Sequence, residues 1–283
     1  MEGNDIAWGL GARLPNPAGW RGGLSLREVQ KHFFPALGFA NRTDIRACYG
    51  DAGYTKIVSG SALQSIYAGV DTQRVMSLET GVVQSQIISL RPLELGTRSR
   101  DSMKFVYALN TGNITQPYEA HGDNTRAVII PVGRYEFEDY GVEISTASQR
   151  RLHGEVEIRK GEFCAGEKLG IGGEVIFKAS RHLTLKFAND WNKVAPPEGR
   201  LTTRLNRAGI QVYFSTRLSW LSLLQYDNVS ELFGIHSRLT WVPEAGQEYR
   251  LVLNKGYQDF DKNNSFDAAT QDLNAEASYT FRF

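Results

Sequence analysis

Cysteine is scarce in this chain: Cys48 and Cys164 are the only two among 283 residues. That is too few for a disulfide scaffold, and the pair lacks the CxxC spacing of a zinc or redox site. The two thiols either pair with each other or stay free. No apolar run reaches the about 18 residues that a helix needs to cross a bilayer. Hydrophobic residues make up 41% and the mean hydropathy is -0.34, which excludes a helical membrane protein. Charge of one sign is missing as well. The 32 Lys and Arg stand against 31 Asp and Glu, for a formal charge of +1. A dedicated nucleic-acid binder needs a basic patch to meet phosphates, so no nucleic acid is expected as a partner. The first five residues, MEGND, have neither the basic stretch nor the apolar stretch of a secretory signal.

These absences leave one membrane class standing. A transmembrane β-barrel alternates polar and apolar residues, so its average hydropathy is that of a soluble protein. The last eleven residues, LNAEASYTFRF, have that pattern: Ala275, Ala277, Tyr279, Phe281 and Phe283 share one phase, and Glu276, Ser278, Thr280 and Arg282 share the other. Successive side chains of a strand point to opposite faces, so all the aromatics of this segment lie on one surface. The ending aromatic-x-Phe, carried by Tyr279, Phe281 and Phe283, resembles the C-terminal signal by which Gram-negative barrels are recognised for insertion. An export signal is then required, and the chain is expected to be the C-terminal piece of a longer precursor or a truncated reading frame that lacks its export segment.

Alternation recurs upstream at the ~10-residue length of a tilted membrane-crossing strand. It is clear over 247–257, 231–241, 217–227, 203–214, 182–191 and 168–179. It continues more weakly over 152–159, 134–147, 103–109, 81–91 and 62–71. With one or two more upstream, the sum is about 12 to 14 strands. A phase change between Phe137 and Val142 points to a bulge. The expected fold class is all-β, an antiparallel transmembrane β-barrel or part of a larger one. Residues 1–60 supply N-terminal strands and a short helical or loop segment, and residues 61–283 form the barrel. The helical piece lies in SLREVQKHFFPALGF, where Ser25 and Glu28 have capping-box spacing and Pro35 would end the helix.

With the final strand ending in the periplasm, the connections 110–133, 160–167, 192–202 and 258–272 fall outside and are long. Those at 148–151, 180–181 and 242–246 fall inside and are tight, which is the barrel rule. Residues 228–230 are a short exception. Trp241, Phe214, Phe281 and Phe283 cluster near the inner ends, and Trp191, Tyr226, Phe233 and Tyr257 near the outer ends, as two aromatic girdles would. A soluble antiparallel sandwich is the alternative with the same alternation.

Three stretches carry a resemblance: SLREVQKHFFPALGFANR (25–42), FSTRLSWLSLLQYDN (214–228) and RLTWVPEAGQEYRLVLNKG (238–256). They resemble the outer-membrane proteins in which a carbohydrate-binding module of family nine type precedes a C-terminal barrel domain of unknown function. The resemblance implies a barrel without established catalytic residues. The module itself is absent here.

Two constellations bear on chemistry. Asp259, Asp261, Asn263, Ser265 and Asp267 place oxygen ligands at alternate positions, as a Ca²⁺ loop does, but the loop has Asn264 for the usual glycine and Thr270 for the closing glutamate. A solvated polar loop is the competing interpretation, and no other cofactor is indicated. If apolar phases face lipid, then Glu155, Glu157, Arg159, Glu174, Lys178, Lys186, Arg207, Arg238, Arg250, Glu276 and Arg282 line the lumen. An Arg or Lys on the lipid face at midplane costs about 2 to 4 kcal/mol, which forces that assignment. His32, His121, His153, His182 and His236 lack metal spacing, and neighbouring His236 and Ser237 point to opposite faces and cannot form a catalytic pair.

The expected protein is therefore an integral barrel of a Gram-negative outer membrane. It serves as a transport barrel or an anchor for an upstream module, and it is not an enzyme. Its partners are outer-membrane lipid, the barrel-assembly machinery during insertion, and a carbohydrate or other exported ligand. The alternatives are a surface ligand-binding barrel without transport, using the loops 110–133 and 258–272, and an outer-membrane hydrolase.

Overall fold

A computed structural model of the chain describes residues 5–35, 38–59, 62–121, 127–164, 166–259 and 265–280. Seventeen strands form: β1 (Ala7–Leu14), β2 (Gly19–Val29), β3 (Ile45–Ile57), β4 (Leu63–Ser77), β5 (Val83–Thr97), β6 (Ser102–Ile114), β7 (Tyr118–Ala120), β8 (Val128–Ile130), β9 (Gly133–Ser145) and β10 (Leu152–Phe163). The remainder are β11 (Gly166–Lys178), β12 (Leu183–Ala195), β13 (Leu201–Tyr213), β14 (Leu218–Asp227), β15 (Leu232–Trp241), β16 (Gln247–Gln258) and β17 (Asp267–Tyr279). Fifteen of them make one antiparallel sheet in which sequence neighbours are spatial neighbours, while β7 and β8 form a separate hairpin. All twelve strands expected downstream of residue 61 are present. Three rather than one or two lie upstream, so the sheet exceeds the 12 to 14 strands expected. Among the described residues β1 pairs with β2 alone and β17 with β16 alone, so the two ends of the sheet do not meet.

Two local expectations fail. The capping-box segment is not helical: Ser25 and Glu28 lie in β2, where Ser25 pairs with Gly11 on one side and Tyr49 on the other. Two ladders of hydrogen bonds outweigh a cap worth about 1 kcal/mol. Nor is there a bulge between Phe137 and Val142, because β9 pairs with β6 in unbroken register. Phe137 is simply an apolar residue on the other face. The register does shift between Leu90 and Leu93, around Pro92, which has no amide hydrogen to donate to the ladder.

The two faces of the sheet are opposite in character. Following the register, one row runs Leu152, Phe177, Leu185, Ile210 and then Ser222, Ser237, Leu253, Leu273. The apolar residues are the exposed ones: Leu10 is 74% exposed, Leu24 69%, Leu152 60% and Phe187 52%. The alternate positions carry charged side chains that cover one another. Aromatics mark both ends of the apolar face. Trp20 packs on Tyr54 and Trp241 on Tyr249 at one end, each at 5.3 Å, and Phe233 on Tyr257 and Tyr226 on Phe266 at the other. Phe281 and Phe283 lie outside the described residues.

Connections at the Trp20 end are uniformly short: 15–18, 58–62, 98–101, 146–151, 179–182, 214–217 and 242–246. At the other end 30–44, 115–132 and 259–266 are longer, but 160–167 and 192–202 are not the long loops expected. There β10, β11, β12 and β13 continue, leaving only residues 164–165 and 196–200 between them. The longest expected loop, 110–133, is partly strand: Asn110 to Ile114 finish β6, and β7 and β8 fold back over the polar face. Ala120, Val128 and Ile130 bury themselves there with Cys164, Val194 and Leu201, against Ile114, Tyr135 and Phe163. A second buried cluster, Val29, Ile45, Ala47 and Val75 with Phe33, sits beneath loop 30–44. Both buried apolar clusters thus lie at the long-loop rim, on the otherwise polar face.

Near the other rim Tyr67, 5% exposed, lies across Gly53 and Gly69 of its own and the neighbouring strand. A Cβ at either glycine would overlap the ring. Gly53→Ala and Gly69→Ala are therefore each expected to lower stability by about 1 to 3 kcal/mol, the range for overpacking. Alanine at Gly112, where nothing lies within 4 Å, should have little effect in the same denaturant titration.

Candidate functional site

The polar face of β6 and β9 to β13 holds most of the charged residues that alternation assigns to an interior. Glu143 stands opposite Glu157, and Glu155 opposite Glu174, two pairs of like charges in direct register. Facing carboxylates repel, so each needs a cation within reach. Lys104 Nζ lies 2.5 Å from Glu143, Lys186 Nζ 2.5 Å from Glu174, and Arg159 bridges Glu157 and Asp139, 2.8 Å from the latter. Arg207 reaches Asp190 at 2.5 Å. Glu155 makes no ion pair among the described residues, so six carboxylates face four cations here. Glycines at 172 and 173 keep the floor open, and a cavity of about 180 Å³ remains between Glu143, Glu155, Glu157, Glu174, Asp190 and Arg207.

Two further groups continue this face. Over β2 to β5 the guanidinium carbon of Arg21 sits 4.1 Å from the centre of the Tyr67 ring and that of Arg91 5.1 Å, a cation on each of two approaches to one aromatic. Arg91 also pairs with Asp71 at 2.6 Å. Beside this group opens a cavity of about 580 Å³, whose walls include Arg13, Tyr49, Asp51, Asp71 and Gln73. At the far side Arg250 binds Glu248 at 2.8 Å and Glu276 at 3.3 Å, and Asp272 accepts from Asn274 at 2.6 Å. Lys178 Nζ donates to Ser148 O. Arg238 shares the face, opposite Leu221 and Val252, without an ion pair among the described residues. Arg282 lies outside the described residues.

Alternation missed the group around Tyr67, as well as Lys104 and Glu143. The upstream strands carry bulges and glycines that break a two-residue count, and Lys104 and Glu143 meet only through the pairing of β6 with β9, across the excursion of β7 and β8.

The other candidates are the calcium set, His236 with Ser237, and the two cysteines. Of the calcium set, Asp259 is buried at the end of β16, its amide donating to Glu231 O at 3.2 Å, and Ser265 and Asp267 lead into β17. Asp261 and Asn263 fall outside the described residues. No group of three or more His, Cys, Asp or Glu among the described residues has the arrangement to hold a metal. His236 Nδ1 lies 2.6 Å from Asn254 Oδ1, while Ser237 on the apolar face accepts from the Trp220 indole at 2.8 Å. Cys48 and Cys164 are both free thiols, the first on β3 and the second in the turn after β10. No family model matches the chain, and no curated protein matches it.

Between the strands, Asp101 pins two short turns together. Its carboxylate accepts from the Ala147 amide at 2.9 Å, the Ser99 hydroxyl at 2.8 Å and Arg150 at 2.6 Å. These bonds, the Ala147 amide foremost, hold its pKa below the ordinary carboxylate value. A depressed pKa means that the bond stabilises above the unfolded-state value and is lost as pH falls through the folded one. Exchange of the Ala147 amide, corrected for its intrinsic rate, should therefore accelerate below the usual carboxylate range. In Asp101→Asn the acceleration should be present already at pH 7.

The Lys104 and Glu143 pair gives a second test. Lys104→Met leaves Glu143 facing Glu157 and is expected to cost about 1 kcal/mol, whereas adding Glu143→Gln should recover most of it. A double-mutant cycle by denaturant unfolding measures the coupling, and additive costs would show that the pair contributes nothing.

Proposed function

We propose that this protein is an integral outer-membrane β-barrel whose polar face encloses a passage narrowed at one rim by its own loops. The observation that carries this is the inversion of the sheet, with large apolar side chains exposed and charged ones half-covered and paired. In water, exposed apolar area of this extent is unfavourable at roughly 25 cal/mol per Å². Against lipid the same arrangement is the stable one, and the aromatic pairs at both ends suit the two headgroup levels.

Two observations support the passage. The interior carries more carboxylates than cations around Glu155, which favours small cations. The β7–β8 hairpin is tucked over the polar face by Ala120, Val128 and Ile130, so it constricts the mouth where an extended loop would not. Anchoring of an upstream module and capture of an exported ligand, a carbohydrate among them, are compatible with the same frame. The stretches 214–228 and 238–256 that resemble a C-terminal barrel family coincide with β14 and the β15–β16 hairpin. No catalytic step is part of this reading.

Refolded into detergent, the chain should migrate faster unheated than boiled on a denaturing gel. A monomer that stays soluble without detergent would sink the membrane reading. Val175→Arg and Phe187→Arg, on the exposed apolar face, should each cost about 2 to 4 kcal/mol in bilayers. In planar bilayers Glu155→Gln with Glu157→Gln should shift the reversal potential toward anions, and deleting 116–129 should raise conductance. A reconstituted barrel that stays silent in every variant would leave anchoring as the role.

A further inference from the structure

Every residue of β1 and every residue of β17 is exposed, on both faces, whereas each other strand of the large sheet has covered positions. Among the described residues each of these two strands belongs to one ladder only, which leaves its other edge of backbone N–H and C=O groups at the margin of the sheet. In a bilayer such an edge is untenable, because no water is there to satisfy it. The two edges cannot satisfy each other in the usual way. Successive strands alternate direction, so the first and fifteenth run parallel, and single-chain bacterial barrels close with an even number of antiparallel strands. A second copy offers no remedy. In the same membrane orientation its β1 and β17 also run parallel to these.

We infer that the seam between β1 and β17 is a docking slot for one further amphipathic strand from outside these 283 residues, running antiparallel to both. The inference rests on the membrane reading for its strand length, about 9 to 11 residues. The flanking side chains define its chemistry. On one face it continues the apolar stripe between Leu10 and Leu14 of β1 and Leu273 and Tyr279 of β17. On the other it meets Arg13, which has no ion pair among the described residues, and Glu276, so an acid beside β1 and a base beside β17 fit it best. Main-chain hydrogen bonds on two edges supply the affinity, as in strand addition to an exposed sheet edge.

Cross-linking measures the width of the seam. In the full chain with Cys48→Ser and Cys164→Ser, Leu10→Cys is combined in turn with Leu273→Cys, Ala275→Cys and Ala277→Cys. A slot one strand wide separates β1 from β17 by about 10 Å, two strand spacings. Oxidation should then give no disulfide, which needs Cβ atoms about 3.5 to 4.5 Å apart, while a bismaleimide of about 10 Å span should bridge at least one pair. Efficient disulfide formation in any pair overturns the proposal, as it means direct parallel closure. The unmodified chain supplies a second measurement that depends on no variant. A synthetic peptide copying Gln247–Gln258, which already pairs antiparallel with β17, is added to the refolded protein, and amide exchange is followed. Exchange should slow about tenfold or more in β1 and β17 together, with β5 and β6 unchanged. Protection of only one edge, or of neither, overturns the slot. Liposome flotation separates the two ideas. A chain that does not float yet shows the seam sinks the membrane reading alone, and one that floats but forms the disulfide sinks the slot alone.

Discussion

The whole molecule depends on the pairing of backbone groups across fourteen consecutive antiparallel ladders. A ladder fixes register, and register fixes which side chains share a face, since a slip of one residue would move every apolar group to the other side. Here the register places Leu152, Phe177, Leu185 and Ile210 in one row and Glu155, Glu174, Ala188 and Arg207 in another. Among the described residues no second layer covers the first row. The absence of a second layer sets this sheet apart from a sandwich, in which two sheets bury their apolar faces against each other.

The polar face must then do internally what water does for an ordinary surface. Of its facing carboxylates, Glu143 with Glu157 and Glu155 with Glu174, Glu143 and Glu174 are met by Lys104 and Lys186 from adjacent strands and Glu157 by Arg159 of its own strand. Tyr67 is held between Arg21 and Arg91 over two glycines by the same economy of space. These networks leave room between them, and the remaining space is polar.

At the rim the chemistry reverses. The buried apolar clusters under loops 30–44 and 115–132 are where the protein has something like a conventional core, and each ties a loop to the polar face. Ile130, 1% exposed, is the largest side chain that the fold buries completely. A loop held this way packs on the sheet without contributing a strand to it.

Much of this was legible in the sequence. The two-residue period from 62 to 283 located twelve strands, put Glu157, Arg159, Glu174, Lys186 and Arg207 on one face, and separated His236 from Ser237, because side-chain direction along a strand is a local property of the backbone. The period failed where local signals compete. Ser25 and Glu28 read as a helix cap, yet β1 and β3 on either side of β2 supply two ladders, and a non-local gain overrides a local preference. Phe137 read as a bulge because its place in the Phe137–Phe163 contact beside the rim cluster depends on β7 and β8 folding back. Tertiary structure alone decided which cation meets which carboxylate and that β1 and β17 end with free edges. Those facts depend on how many strands lie side by side and in what register, and no single segment contains that information.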